Sequence, residues 1–218
     1  MLRLLGWDCG VSTLAWVYIE INLDALAEMD RLAPSLPDSL MRMAELSRRL
    51  VCVRSVGIKS LTQGRKVADT TLIERTRELR AFLESDFQCS GDIHVMIEAQ
   101  SQKIRNATIS AAVPAVSHQL MYHFANVNCV AVSPRYKTKV ALRPDLTLDE
   151  VRTRMQSEKQ TVIPAYAIRK QHAIENFICF MKQFDPSRTL KKTHLDDIAD
   201  AFMSIMGYFE LLRSTAKL

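Results

Sequence analysis

Three aspartates stand close together near the C-terminal end of the chain, Asp196, Asp197 and Asp200. The apolar residues that follow them recur every three or four positions, a spacing typical of an amphipathic helix. The predicted buried stripe of this helix consists of Ile198, Phe202, Ile205, Phe209 and Leu212. At about 100° per residue, Asp197 and Asp200 lie side by side on one flank of the stripe, whereas Asp196 points further from it. Two carboxylates on one edge of a buried helix can hold a divalent cation. Helix capping explains one or two of these acids equally well.

Two more acids follow apolar segments that we predict to be strands of one sheet. Residues 2–7 and 14–21 form a predicted β-hairpin, and Asp8 ends its first strand. Residues 93–97 form a short buried strand that ends in Glu98. If the two strands that precede Asp8 and Glu98 are neighbours, both carboxylates emerge at one edge of the sheet. For either acid taken singly, capping of loop amides is the alternative.

The chemistry of such a set follows from its charge. Four carboxylates in one place repel one another, and a bound cation removes that cost. Mg²⁺, for which Mn²⁺ can substitute, takes carboxylate oxygens and keeps waters for substrate phosphates. Two such ions about 3.5–4 Å apart activate water on one side of a phosphodiester and stabilise the leaving oxygen on the other. The residues predicted to bind metal and to catalyse phosphodiester hydrolysis are Asp8, Glu98, Asp197 and Asp200.

The elements that must position these acids follow from the rest of the pattern. Further strands are predicted at 51–61 and 127–133, and helices at 70–86, 107–125 (interrupted or started near Pro114) and 166–183. Residues 24–50 fit two short helices broken by prolines, and 143–164 look like an inserted loop or a mobile helix. A meander followed by strand–helix alternation indicates an α/β fold, a mixed five-stranded sheet flanked by helices. With no linker or repeat, residues 1–218 are predicted to form a single domain.

The positive charge of the chain is concentrated in its middle. The formal net charge is +5, and between positions 99 and 170 eleven lysines and arginines face only four acids. A basic stretch of this kind favours salt-dependent binding of nucleic acid. The residues predicted to contact DNA are Lys137, Lys139, Arg169, Lys170 and Arg105.

Cysteine usage and hydropathy bound the setting of the protein. The five cysteines are scattered and lack a CxxC pair, a pattern typical of thiols in an intracellular, reducing compartment. No run of eighteen apolar residues is present, and the apolar start of the chain meets Asp8 at once. We therefore expect neither a membrane span nor a signal peptide.

Four short motifs, in this order, resemble one known family. They occupy residues 8–15 (DCGVSTLA), 97–100 (IEAQ), 166–173 (YAIRKQHA) and 196–201 (DDIADA). Together they resemble Holliday junction resolvases of the RuvC-like group, above all its poxvirus-type and yeast mitochondrial branch, which includes relatives in other large DNA viruses. Residues 24–50 and 143–160 look divergent in this comparison.

The resemblance implies an RNase H-like fold and a homodimer that acts on four-way DNA junctions. Each subunit would nick one strand symmetrically, using Mg²⁺ and four acids that match Asp8, Glu98, Asp197 and Asp200. It also implies a viral replication site, in the cytoplasm or the nucleus, as the place of action.

Other functions stay open at this stage. The same fold serves ribonuclease H-type enzymes, general branched-DNA nucleases and non-catalytic junction-binding subunits. The pattern Asp8-x-Gly10-x-Ser12 also resembles the phosphate loop of actin-like ATPases and sugar kinases. Those proteins need a second nucleotide-gripping half, for which this chain is too short.

Overall fold

The computed structural model describes residues 1–31, 49–87, 92–99, 107–159, 163–190 and 192–214. Its strands are β1 (Leu2–Cys9), β2 (Thr13–Ile21), β3 (Val51–Ser60), β4 (Ile93–Glu98) and β5 (Asn128–Val132). Its helices are α1 (Leu23–Arg31), α2 (Leu72–Asp86), α3 (Ala107–His123), α4 (Pro134–Lys137), α5 (Leu148–Lys159), α6 (Ala165–Phe184) and α7 (Leu195–Ser214). Short 3₁₀ turns lie at Val67–Asp69 and Pro144–Leu146.

The five strands form one mixed sheet in the order β3-β2-β1-β4-β5. The first three strands are antiparallel neighbours, whereas β4 is parallel to β1 and β5 is parallel to β4. This arrangement confirms the predicted fold class. The register places Trp7 of β1 opposite Ile97 of β4, so that the next residues, Asp8 and Glu98, leave the sheet at the same edge and on the same face.

Helices cover both faces of the sheet, so the central strands are apolar at almost every position. On one face, α2 and α3 enclose a core that includes Leu5, Trp7, Val95, Leu79 and Leu120. On the other face, α6 and α7 enclose a core that includes Leu4, Val17, Met96, Phe177 and Phe202. Side chains alternate along a strand, so Asp8 continues the row of Leu4 and Gly6 and faces α7. The five residues of the predicted stripe of α7 are all buried.

Glycine at position 6 lets α7 approach the sheet closely. A Cβ atom there would lie 2.4 Å from the carbonyl oxygen of Ala201 and 2.7 Å from Cγ1 of Ile205. Ala199 and Ala201 are themselves fully buried against the sheet. The small residues on both sides therefore set the depth of α7, and with it the position of Asp200 relative to Asp8.

Two helical predictions differ from the structure, and a third is tested only in part. Residues 107–123 form one helix that continues through Pro114, because Val113 and Val116 on either side are held in the core. Residues 148–159, predicted as part of an inserted loop or a mobile helix, form the helix α5. The fully buried Val151 anchors this helix to the rest of the protein. Of the two helices expected in 24–50, α1 confirms the first. The prediction of the second falls mostly on 32–48, outside the described residues, and residues 49–50 are helical. None of the described helices is long and apolar enough to span a membrane.

Candidate active site

The four predicted carboxylates meet at the edge of the sheet where β1 and β4 end. Asp8 is the penultimate residue of β1 and Glu98 is the last residue of β4. Helix α7 starts beside this edge and contributes Asp197 and Asp200 from its first two turns. The group is close enough that Asp200, Glu98 and Asp197 each raise the pKa of the Asp8 carboxyl. The structure thus brings together the set that the sequence placed at strand ends and on one helix flank.

A buried lysine stands among these acids. Lys137 is the last residue of α4, a single turn that begins after Ser133, whose hydroxyl accepts a hydrogen bond from the Arg135 amide. Its ammonium donates to the Glu98 carboxylate, and its Nζ lies 3.6 Å from Oδ1 of Asp200. Burial lowers the pKa of Lys137, but Asp200, Glu98 and Asp8 outweigh it and hold the pKa above its ordinary value. Lys137 is therefore a fixed positive charge inside the cluster.

Even with this ammonium present, the cluster carries excess negative charge. Burial, with repulsion from the other three acids, raises the pKa of Asp8 to about 8 although Lys137 opposes the shift. The pKa of Asp200 is raised as well, first by burial and then by Glu98 and Asp197. With a pKa of about 8, the Asp8 carboxyl keeps its proton at neutral pH until a cation compensates its charge. Four carboxylates of this kind fit hard divalent cations, which bind oxygen ligands.

The four acids do not form a ready-made coordination shell. Within the described part of the chain, no three His, Cys, Asp or Glu side chains form a ready-made metal-binding group. Glu98 and Asp200 both contact Lys137.

The adjacent residues Asp196 and Asp197 on α7 have different partners. Asp196 forms an ion pair with Lys170 of α6, which outweighs burial and lowers the pKa of Asp196. Asp197 accepts a contact from Nδ1 of His194 at 3.1 Å, and His194 precedes the helix with a φ of +59°. Asp196 therefore points away from the cluster, as the helical spacing indicated, and Asp197 stays beside it.

A buried arginine fixes the turn that follows Asp8. The guanidinium of Arg75, on α2, donates to the carbonyl oxygen of Val11 at 3.0 Å and to that of Thr71 at 3.3 Å. The same turn is closed by Gly10 N–H donating to the Thr13 carbonyl at 2.9 Å. Sequence spacing did not single out Arg75, because nothing in the chain marks which helix would cover the hairpin turn.

A cavity of about 460 Å³ opens beside the acids. Its lining includes Glu98, Asp200 and Lys137, together with the cations Arg135, Arg169 and Lys170. Arg135 and Arg169 are exposed and have no ion-pair partner among the described residues. Cations and acids thus share one opening that can take a phosphate backbone.

The residues predicted to contact DNA occupy different settings. Arg169 lines the cavity, and Lys170 lines it as the partner of Asp196. Lys139 is exposed, with its Nζ 5.7 Å from the centroid of the Tyr136 ring. Lys137 lies buried among the acids, and Arg105 lies outside the described residues. Sequence reasoning placed no role on Arg135, whose position beside the cavity depends on the short helix α4.

Comparison with known proteins gives similarity to a family and to a fold. Residues 146–213 match the model of the Poxvirus A22 protein family. No curated protein sequence is a significant match to the chain.

Two solved structures share the overall architecture. One is the fowlpox virus resolvase in complex with substrate Holliday junction DNA: TM-score 0.54, 15% identity, covering 97% of this chain and 99% of that chain. The other is RuvC of Thermus thermophilus in complex with a Holliday junction substrate: TM-score 0.50, 11% identity, covering 96% of each chain. The chain therefore has the RuvC-like, RNase H-type fold, and the resemblance to poxvirus-type resolvases that its motifs indicated is confirmed.

Proposed function

We propose that the protein is a Holliday junction resolvase, an endonuclease that depends on divalent metal and nicks opposing strands of four-way DNA junctions. The observation that carries this proposal is the convergence of Asp8, Glu98, Asp197 and Asp200 at one sheet edge, beside a cavity lined by exposed arginines. The fowlpox and Thermus relatives, solved with junction DNA, support the choice of substrate.

The four carboxylates are the groups that would hold the metal, Mg²⁺ with Mn²⁺ as a substitute. When bound, the ions supply an activated water and stabilise the oxygen that leaves phosphorus. Among the four acids, Asp8 couples most strongly to cation binding, because burial and its neighbours suppress its ionisation until positive charge is present. The site is therefore built to take up cations and to release a proton as it does so.

The cationic side chains have two separate tasks. Lys137 holds the Glu98 carboxylate by a hydrogen bond and offsets part of the negative charge that a scissile phosphate would otherwise meet. Arg135 and Arg169 bind backbone phosphates at the opening of the cavity, where they are free of ion pairs with described acids. Phosphate contacts of this kind fix the strand without reading its sequence.

Resolution of a junction needs two cuts, and one chain contains one set of acids. We infer that two copies act together as a homodimer, each supplying its own four carboxylates to one strand. A symmetric dimer matches the approximate two-fold symmetry of a four-way junction. This arrangement distinguishes a resolvase from a ribonuclease H-type enzyme or a general branched-DNA nuclease.

The proposal is tested by offering the wild-type protein an immobile four-way DNA junction, a linear DNA duplex of the same sequences and an RNA–DNA hybrid. We expect paired nicks in opposing junction strands with Mg²⁺ and none with EDTA, with the duplex and hybrid left intact.

Preferential cutting of the hybrid would replace the proposal by ribonuclease H activity. Tight junction binding without any cutting in Mg²⁺ or Mn²⁺ would replace it by a non-catalytic junction-binding function. Nicks scattered among the four strands would indicate a general branched-DNA nuclease.

A further inference from the structure

A largely exposed tyrosine stands at the opening of the catalytic cavity. Tyr166 lies in the first turn of α6, is 60% exposed and lines the same cavity as Glu98 and Asp200. Four large apolar side chains are strongly exposed in the described part of the chain: Met1, Ile73, Tyr122 and Tyr166. Tyr166 is the member of this group that belongs to the cavity.

The ring of Tyr166 contacts a lysine that forms an ion pair with α7. The Nζ atom of Lys170, one turn further along α6, lies over the ring at 5.1 Å from its centroid. The same ammonium forms the ion pair with Asp196, which adjoins Asp197 on α7. This chain of contacts fixes the distance between the ring and the acids.

Free positive charge flanks the ring. Arg169 and Arg135 line the same cavity, are exposed and have no ion-pair partner among the described residues. Phosphate-binding cations beside an exposed aromatic face are the combination by which proteins hold unpaired nucleotides. Cations alone would serve any duplex, whereas an aromatic face is useful only where a base has left its stack.

We propose that Tyr166 is a stacking platform for a nucleobase next to the scissile phosphate, and that the site therefore takes DNA whose strand is unstacked at the cut. The inference rests on the proposed function and deepens it by naming the feature of the substrate that is recognised. A base within continuous duplex has both faces covered, so it cannot stack on the ring without leaving the helix. A strand at a branch point has already lost part of its stacking, so transfer to Tyr166 costs less there.

The stacking energy decides the size of the effect. Base–aromatic stacking contributes about 1–3 kcal/mol per base, which corresponds to roughly a 5- to 150-fold change in affinity. Because every base has a π-face, we expect the contribution of Tyr166 to be the same for junctions of different sequence.

The test compares Tyr166→Leu, Tyr166→Phe and the matched control Tyr122→Leu, which removes a tyrosine that is even more exposed and lies outside the cavity. Affinity is measured in EDTA, which prevents cutting, for a four-way junction and for linear duplex. Tyr166→Leu should weaken junction binding about 5-fold or more and leave duplex binding unchanged. Tyr166→Phe and Tyr122→Leu should bind both DNAs as the wild type does.

A second readout reports the base itself. Junctions carry 2-aminopurine on either side of the mapped cleavage position, because the emission of this base depends on stacking. In one of the two positions, wild type should quench the emission, and Tyr166→Leu should leave it brighter than wild type does.

Equal junction affinity and equal emission for Tyr166→Leu and wild type would overturn the stacking inference, while junction cleavage by the wild type would leave the proposed function standing. Loss of duplex binding in parallel with junction binding would also overturn it, because the ring would then serve general DNA contact. A wild type that neither binds nor cuts junctions would remove the proposed function itself. The unfolding transition of each variant shows that its fold is retained.

Discussion

The Lys137 ammonium donates a hydrogen bond to the Glu98 carboxylate, so a buried cation is bound to one of the four acids at the sheet edge. The same ammonium lies 3.6 Å from Asp200 of α7. This lysine therefore links the end of β4 to α7, the helix that carries Asp197 and Asp200. Its positive charge offsets part of the negative charge of the four carboxylates.

Replacing Lys137 tests whether this charge takes part in catalysis. Lys137→Met should lower junction cleavage about 100-fold or more, since removal of one positive group at a reacting phosphate typically costs that much. Affinity for the junction should change far less, because the exposed arginines remain. Cleavage rates at saturating enzyme and affinities in EDTA separate the two effects.

The control for Lys137→Met is Lys182→Met. Lys182 is an exposed lysine in the last turn of α6 and lies outside the acid cluster. Lys137→Arg keeps the charge and should recover part of the lost rate. A Lys137→Met protein that cuts at the wild-type rate would exclude Lys137 from the reaction.

Asp8 makes the stability of the metal-free protein depend on pH. Its pKa is about 8 in the folded chain against an ordinary value of 3.8, so the folded state keeps a proton that the unfolded state has lost. The free energy of unfolding should therefore fall as the pH rises from about 4 to about 8. Asp8→Asn removes this loss, and the variant should exceed wild type at pH 8 in EDTA by on the order of 5 kcal/mol.

Urea unfolding at a series of pH values measures this difference. Added Mg²⁺ should restore the stability of wild type at pH 8 and have little effect on Asp8→Asn. Parallel pH profiles for the two proteins in EDTA would show that Asp8 ionises normally in the fold.

Adjacent aspartates on α7 should behave differently. Asp196 pairs with Lys170, whereas Asp197 stands beside the other acids. Asp197→Asn should reduce cleavage about 100-fold, in line with loss of a group that stabilises the reacting centre. Asp196→Asn should cost less than about 10-fold, because the ion pair it breaks is partly exposed. Equal losses in single-turnover cleavage would mean that the metal-facing pair has been assigned wrongly.

Gly6 links the depth of α7 to the acid cluster. Gly6→Ala places a methyl group 2.4 Å from the Ala201 carbonyl oxygen, a backbone atom that moves only if the helix moves. We expect a loss of about 1–3 kcal/mol in the free energy of unfolding, typical of an overpacked core. Cleavage should fall as well, because Asp200 is displaced from Asp8.

Gly64→Ala is the comparison for Gly6→Ala, because its Cβ would meet nothing within 4 Å. It should cost about 1 kcal/mol through its positive φ alone and leave cleavage intact. Wild-type stability and cleavage in Gly6→Ala would show that the contact between β1 and α7 does not position the acids.

The sequence predicts the acid set because strand ends and helix flanks are local features. Asp8 and Glu98 follow short apolar runs, and parallel pairing of β1 and β4 places them together without further information. The position of Asp196 away from the cluster follows in the same way from helical spacing.

The positions of the lysines could not be predicted in this way. Lys137 and Lys139 are two residues apart in one basic segment, yet one is buried among acids and the other is exposed. Their difference arises from the single turn of α4 and from its contact with Gly207 of α7, a tertiary relationship without a local signal. The helix through Pro114 is similar, because tertiary burial outweighs the local cost of proline.

The most direct test of the central claim is cleavage and binding of one four-way junction by wild type, Asp8→Asn and Asp92→Asn in Mg²⁺. Asp92 directly precedes strand β4, at the end opposite Glu98, and its side chain is 95% exposed. Its replacement is therefore a matched control for the loss of one aspartate. Wild type and Asp92→Asn should make paired nicks, and Asp8→Asn should bind the junction at least as tightly and leave it intact. Paired nicks at the wild-type rate by Asp8→Asn would contradict the assignment of the carboxylate cluster as the catalytic centre.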